Sequence, residues 1–202
     1  MKPLLVIIVS SLASARNLQQ KFLSEPVSVK VREGATVSLE CSVGGMGGVL
    51  QWTKDGFGLG TSRELPGYTR LAMTGGNNET WDLELRDVRL EDDGVYQCQV
   101  GATETLGPIR SRDAVISVLK EPEPPELTVP EVMRLEEDKV GLVQCVSRGG
   151  HPASMIRWRI NGELVSSGIT ENVTNMRDTK RTVTTSTLKF PATVNLSGSE
   201  LS

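Results

Sequence analysis

Alternating apolar and polar residues recur along most of the chain. This period of two is typical of β-strands that bury one face. In the first half the alternation occupies residues 37–41, 50–52, 81–85 and 114–118. In the second half it resumes at residues 142–145, and a run rich in β-branched residues follows at 182–190. The pattern predicts an all-β chain made of two similar units.

Four residues of the first unit have the order and spacing of an immunoglobulin-type β-sandwich. They are Cys41, Trp52, Tyr96 and Cys98. In that fold a tryptophan packs against a disulfide between the sheets, and a tyrosine two positions before the second cysteine bonds to backbone. We therefore predict an immunoglobulin-like domain of V/I type at residues 24–119, closed by a Cys41–Cys98 disulfide.

We expect further stabilising contacts in the turn before Cys98. Asp92 is placed to pair with Arg70, and the Tyr96 hydroxyl should bond to backbone in the same turn. Gly94 is expected to supply backbone freedom there. The disulfide should stabilise the domain by about 4 kcal/mol through chain entropy.

A charged, proline-rich run at residues 120–126 separates the two units. Such a run favours extended polyproline geometry and predicts a stiff linker. It can equally be the lead-in to the first strand of the next domain, and the sequence is compatible with both readings.

The second unit, residues 127–202, restarts the pattern with Cys145 and Trp158, and it has an Asn161–Gly162 turn signal. The spacing of the first unit, applied to Trp158, places the second cysteine just past Ser202. We therefore expect tandem immunoglobulin-like sandwiches with the second incomplete before strand F. Cys145 is then unpaired, the second domain is poorly stable in isolation, and the chain is a fragment or short splice form of a longer protein.

Residues 1–15 have the three parts of a secretory signal: Lys2, an apolar run at 4–12 and the small residues at 13–15. The alternative is a buried N-terminal helix. A signal predicts an extracellular protein that is held at the cell surface if the full-length protein has a transmembrane helix, and is otherwise secreted.

The remaining composition argues against several functions. The net charge is −3 and the basic residues are not clustered, so the sequence lacks the basic patch that is typical of nucleic-acid-binding proteins. The single histidine, His151, lies far from any candidate nucleophile, and the cysteines lack further metal ligands. We predict a binding protein that is not an enzyme and uses no metal or other cofactor.

One stretch is more specific than the general fold. The run Gln-Trp-Thr-Lys-Asp-Gly-Phe-Gly-Leu-Gly at residues 51–60 closely resembles the outermost immunoglobulin domain of the nephrin-like adhesion receptors, the roughest/Kirre/Neph group. Further segments similar to that family are residues 63–67, 90–93, 96–100, 109–112, 145–147 and 149–153. The resemblance extends from about residue 24 to the end of the chain.

The resemblance implies a type I membrane protein whose first domain binds another immunoglobulin-superfamily protein on an opposing cell. The partner is homophilic or nephrin-like, and the contact uses the C–C′–F–G face. Carried onto this chain, the candidate contact residues are Gln51, Thr53, Lys54, Asp55, Phe57, Leu59, Gln97 and Gln99. Strand alternation independently directs Gln51, Thr53, Gln97 and Gln99 outward, because their neighbours Trp52 and Cys98 must face the core.

Two alternatives remain open from sequence. The glycines around Phe57 can serve turn geometry alone, with the ring folded back onto the core. The whole chain can also be a soluble secreted immunoglobulin-like binder or decoy. Glycosylation sequons occur at Asn78, Asn172 and Asn195.

Overall fold

The computed structural model describes residues 19–76, 79–129, 132–177, 179–193, 196 and 198–202. The strands of the first unit are β1 Lys21–Ser24, β2 Val29–Arg32, β3 Val37–Leu39, β4 Ser42–Gly44, β5 Leu50–Lys54, β6 Phe57–Gly60, β7 Leu71–Thr74, β8 Asp82–Leu85, β9 Gly94–Val100, β10 Ile109–Arg110 and β11 Ala114–Leu119. The strands of the second unit are β12 Glu126–Leu127, β13 Val140–Gly150, β14 Arg159–Ile160, β15 Glu163–Leu164, β16 Ile169–Asn175 and β17 Thr182–Pro191. A short 3₁₀ helix, Leu90–Asp92, precedes β9.

The first unit is a sandwich of two sheets. One sheet has the order β2-β11-β9-β5-β6, with β10 paired to β9, and the other has the order β3-β8-β7. The first strand of the domain is split into two parts. Its first part, β1, pairs with β4, whereas its second part, β2, runs parallel to β11. In immunoglobulin terms β5, β6 and β9 are strands C, C′ and F, and β10 and β11 form strand G.

The core of this sandwich is built around the predicted disulfide. Cys41 and Cys98 are bonded and fully buried. Trp52 is also fully buried, and its indole Nε1 donates to the backbone oxygen of Trp81 at 2.8 Å. The indole N–H thus finds a partner inside an apolar core, as burial requires.

A buried ion pair closes the end of the sandwich where the 3₁₀ helix precedes β9. The Arg70 guanidinium donates to both Asp92 carboxylate oxygens, at 2.6 and 3.1 Å. The Tyr96 hydroxyl donates to the Asp92 backbone oxygen at 2.7 Å. Burial, together with the nearby Asp92 charge, raises the pKa of Tyr96, and the hydrogen bond to Asp92 raises the pKa of Arg70.

The second unit has one four-stranded sheet of order β12-β13-β17-β16, faced by the β14–β15 hairpin. Trp158 is 1% exposed, and its Nε1 donates to Ser186 Oγ at 2.9 Å. Cys145 is a free, buried cysteine, and burial raises the pKa of its thiol. Asn161 and Gly162 form the expected turn, with φ of 51° and 83°. Within the described residues, the sheet facing β13 and β17 consists of this hairpin and residues 200–202, which pair with β14 through an isolated bridge between Ile160 and Leu201.

The run at residues 120–126 is held against the second unit. Lys120 and His151 exchange two backbone hydrogen bonds of 2.8 and 3.0 Å. The Glu123 N–H donates to the Arg148 oxygen at 2.8 Å, shortly before β12 begins at Glu126. This segment therefore leads directly into the first strand of the second domain.

Candidate functional site

The outer face of the β6-β5-β9-β10 sheet carries three glutamines, which we call the amide row: Gln51, Gln97 and Gln99. Gln51 of β5 lies directly opposite Gln99 of β9, and Thr53 lies opposite Gln97. All three glutamines are half-buried and alternate with core residues along their strands. A sheet face covered by neutral amides loses less solvation free energy on docking than one covered by charges.

Hydrogen bonds connect two members of the amide row to strand G. Gln99 Nε2 donates to Gln97 Oε1 at 3.2 Å. Gln97 Nε2 donates to Asp113 Oδ1 at 2.5 Å. Asp113 lies just before β11 and is exposed, and no sequence pattern indicated a role for it.

The third member of the row, Gln51, lies over Gly58 of β6. A Cβ placed on Gly58 would lie 1.9 Å from Gln51 Nε2, so only a glycine leaves room for this amide. The glycine-rich C′ strand therefore has a role beyond turn geometry, since it lets the Gln51 side chain lie flat on the sheet.

Two of the predicted contact residues are not available at the surface, and those two predictions were wrong. Leu59 is 7% exposed and belongs to the core. Thr53 is 5% exposed, although it is on the outer face. Leu59 points inward because its neighbour Gly58 lies opposite Thr53 on the outer face, and successive residues of a strand point to opposite sides.

Lys54 and Asp55 mainly brace the C–C′ hairpin. Lys54 Nζ donates to the Glu91 backbone oxygen at 2.5 Å. Asp55 Oδ1 accepts from the Val95 N–H at 2.9 Å. A Cβ on Gly94 would lie 2.7 Å from the Asp55 carboxylate. Gly94 is therefore needed for this close approach, and it has no positive φ such as the expected turn freedom would require.

Phe57 projects from the tip of this hairpin and is 78% exposed. It does not fold back onto the core. Because Phe57 and Leu59 are two residues apart on β6, they point to the same side, and Phe57 continues past the edge of the core. The ring therefore lies at the rim of the sheet, on the other side of β6 from Gly58 and the amide row.

A groove of about 500 Å³ adjoins the amide row. The residues that line it are Val49, Gln51, Thr61, Gln99, Val100, Gly101, Pro108, Ile109 and Arg110. Val49 is 64% exposed, and Arg110 of β10 lies opposite Gln99 of β9 in the sheet. This part of the face therefore has an apolar group and a cation beside the amides. Sequence analysis missed Val49, although it lies two residues before Gln51 and thus on the same side of strand C.

Gln20 is a second residue that sequence analysis missed. It is 2% exposed, and its Nε2 donates to the backbone oxygens of Gly101 and Gly107, the former at 3.1 Å. Its Oε1 accepts, at 3.4 Å, from the N–H groups of Gly47 and Gly48. One buried amide thus holds the B–C and F–G loops together above the groove.

Of the three sequon asparagines and the proposed secretory signal, the structure describes only Asn172. Asn172 lies on β16, where every residue from Thr170 onward is exposed. Asn78, Asn195 and the proposed signal at residues 1–15 lie outside the described residues.

Among the described residues, no cluster of His, Cys, Asp and Glu could hold a metal ion. In that same part of the chain, no helix is long and apolar enough to span a membrane.

The disulfide, the buried tryptophan and the tyrosine corner define an immunoglobulin-superfamily protein. The immunoglobulin domain profile matches residues 20–101, and the CD80-like C2-set immunoglobulin domain profile matches residues 120–202. A crystal structure of Rst D1-D2 is similar with a TM-score of 0.76 and 39% sequence identity, covering 88% of this chain and 86% of that chain.

Among curated proteins, the irregular chiasm C-roughest protein of Drosophila melanogaster is 41% identical over 174 residues, which is 85% of this chain and 23% of that protein. The synaptogenesis protein syg-1 of Caenorhabditis elegans is 34% identical over 163 residues, which is 78% of this chain and 22% of that protein. The chain belongs to the roughest/Kirre group of nephrin-like adhesion receptors, a family of immunoglobulin-domain proteins and not of enzymes. It spans less than a quarter of the length of these relatives.

Proposed function

We propose that this chain is the ligand-binding end of a cell-surface adhesion receptor, and that its first domain binds another immunoglobulin-superfamily receptor on an opposing cell. The partner is a second copy of the same receptor or a nephrin-like protein. The outer face of the β6-β5-β9-β10 sheet forms the contact. The observation that carries this proposal is the amide row of Gln51, Gln97 and Gln99, half-buried and uncharged on an otherwise solvated sheet.

Three features around the row support this face as an interface. Phe57 offers an exposed aromatic ring at the rim, where large apolar side chains commonly anchor a partner. Val49 adds an exposed apolar group next to Gln51. The hairpin tip that carries Phe57 is held by the Asp55–Val95 hydrogen bond, so little ordering is needed on binding.

The proposal changes the contact set derived from sequence. Gln51, Gln97, Gln99 and Phe57 remain as contacts, Lys54 and Asp55 act mainly as braces, and Thr53 and Leu59 are withdrawn.

The test is aggregation of beads or cells that display the whole chain. We expect Gln51→Ala to lower aggregation at least ten-fold, because it removes the central amide of the row. Gln144→Ala is the matched control, since Gln144 is an exposed glutamine on the outer face of β13 in the second domain. Wild-type aggregation with Gln51→Ala would remove this face from the proposal, provided that near-UV circular dichroism shows both variants folded.

Phe57→Ala tests the rim contact separately. We expect a several-fold loss of aggregation, with a binding curve that otherwise keeps the wild-type shape. Loss with Phe57→Ala but not with Gln51→Ala would place the interface at the hairpin tip alone.

A further inference from the structure

Asp113 is a carboxylate that is hydrogen-bonded to the amide row. A glutamine amide can turn either its carbonyl oxygen or its nitrogen toward a neighbour, whereas an ionised carboxylate only accepts hydrogen bonds. Asp113 Oδ1 lies 2.5 Å from the end of Gln97. The carboxylate therefore requires Gln97 to present its nitrogen to Asp113 and its oxygen to the opposite side.

The orientation of the Gln97 amide in turn determines the orientation of the Gln99 amide. With its oxygen turned away from Asp113, Gln97 can only accept from Gln99, and Gln99 Nε2 donates to it at 3.2 Å. Gln99 in turn has its own oxygen turned away from Gln97, and Gln99 lines the neighbouring groove together with Arg110. One carboxylate thus sets the direction of two amides.

Gln51 is not under this control. Among the described residues no hydrogen bond holds its side chain, which lies over Gly58 and can turn either end of its amide outward. The amide row therefore combines one adaptable amide with two amides of fixed direction.

We propose that Asp113 is a positioning residue that determines specificity at this face, by fixing Gln99 as a hydrogen-bond acceptor toward the partner. A matching partner presents an N–H or O–H donor at this point. A partner that presents a carbonyl there leaves two acceptors facing each other without water, which disfavours binding. This inference rests on the proposed function of the face and adds the chemistry that the face recognises.

Asp113→Lys is the sharpest variant, because an ammonium group only donates. It should reverse the row: Gln97 turns its oxygen to the lysine, and Gln99 then presents its nitrogen to the partner. Asp113→Asn is milder, because an amide at this position permits either direction. The controls are Glu40→Lys and Glu40→Gln, which make the same charge changes at an exposed carboxylate just after β3, in the other sheet of the first domain.

Two measurements on the whole chain test the proposal. The first records the side-chain carboxamide ¹⁵N–¹H resonances of Gln97, Gln99 and Gln51. The second measures the affinity of each variant for wild-type chain immobilised on beads. We expect Asp113→Lys to shift the Gln97 and Gln99 resonances and to weaken binding about ten-fold, while Asp113→Asn weakens it less. Both Glu40 variants should match wild type in both measurements.

Other results overturn the inference, and they can be told apart from failure of the proposed function. If Gln51→Ala abolishes binding while Asp113→Lys leaves it unchanged, the face is the interface but Asp113 does not set its specificity. If neither variant alters binding, the proposed function and this inference both fail. Unchanged Gln97 and Gln99 resonances in Asp113→Lys would show that the carboxylate does not direct the row.

Discussion

Asp93 Oδ2, in the first domain, lies 3.2 Å from His151 Nε2, in the second. The same oxygen accepts from the Val118 N–H at 3.0 Å, and Asp93 Oδ1 accepts from Lys180 Nζ at 3.3 Å. His151 Nδ1 lies 2.8 Å from the Lys180 backbone oxygen. A single carboxylate thus connects strand G of the first domain to two segments of the second.

This arrangement predicts that Asp93→Ala loosens the junction between the domains. Small-angle X-ray scattering should then show a broader distribution of interdomain distances, because the carboxylate contacts to His151 and Lys180 are lost. Glu40→Ala removes an exposed carboxylate just after β3, and it should leave the scattering curve unchanged. Identical curves for wild type and Asp93→Ala would mean that the junction holds without this carboxylate, through the Lys120–His151 backbone bonds and the bond from Lys180 Nζ to the Asp93 backbone oxygen.

The same site predicts a pH dependence. Burial disfavours the charged form of Asp93, but hydrogen bonds from Val118, His151 and Lys180 outweigh burial and lower the Asp93 pKa. A carboxyl group whose pKa is lowered on folding stabilises the folded form above its unfolded pKa of about 3.9, and this stabilisation is lost as the pH falls through the folded value. The interdomain distances should therefore stay constant from neutral pH down to about pH 4 and broaden only below it. Broadening between pH 7 and 5 would contradict this.

Arg70→Ala should strongly destabilise the first domain. Asp92 is 6% exposed, and removal of its guanidinium partner leaves a buried carboxylate with no opposite charge, held only by the Arg89 N–H at 2.8 Å. Losses of about 3–5 kcal/mol are typical of such changes. Urea unfolding of wild type and variant, followed by tryptophan fluorescence, measures the effect as a change in the first-domain transition. Arg86→Ala is the control, because its side chain is 69% exposed and its ion pair should contribute under about 1 kcal/mol.

Gln20→Ala should destabilise the first domain by about 1–3 kcal/mol, because it leaves buried backbone groups of the B–C and F–G loops unpaired. Gln19→Ala, at an exposed neighbour, is the matched control. Amide hydrogen exchange at Gly47 and Gly48 should accelerate only in the Gln20 variant. Equal exchange in both variants would show that the loops hold each other without this amide.

Cys145 allows the second domain to be tested by itself. Its thiol is buried and has a raised pKa, so it should react with a disulfide reagent only when the domain opens. We expect slow labelling in native buffer, and fast labelling in urea at concentrations that leave the first domain folded. Rapid labelling in native buffer would mean that the sheet around Cys145 and Trp158 opens readily.

Sequence analysis predicted the parts of the fold that depend on local chemistry. The disulfide pair and Trp52 follow from residue type and spacing, and the orientation of Gln51 and Gln99 follows from alternation. Leu59 was misplaced because the family resemblance was carried onto the whole run from residue 54 to 60, whereas alternation along β6 directs Leu59 toward the core. Gln20 and Asp113 were missed because their partners lie far away in sequence, so nothing near them signals a role.

The parallel pairing of β2 with β11 has a mechanical consequence. It spans four residue pairs, from Val29 opposite Ile116 to Arg32 opposite Leu119. In an adhesion contact made through the proposed face, tension on the first domain would run between that face and the chain segment that follows Leu119. Strand β11 is then pulled lengthwise between β2 and β9, so its hydrogen bonds are loaded together in shear and do not open one at a time. The first domain should therefore withstand the pulling forces that act at a cell contact.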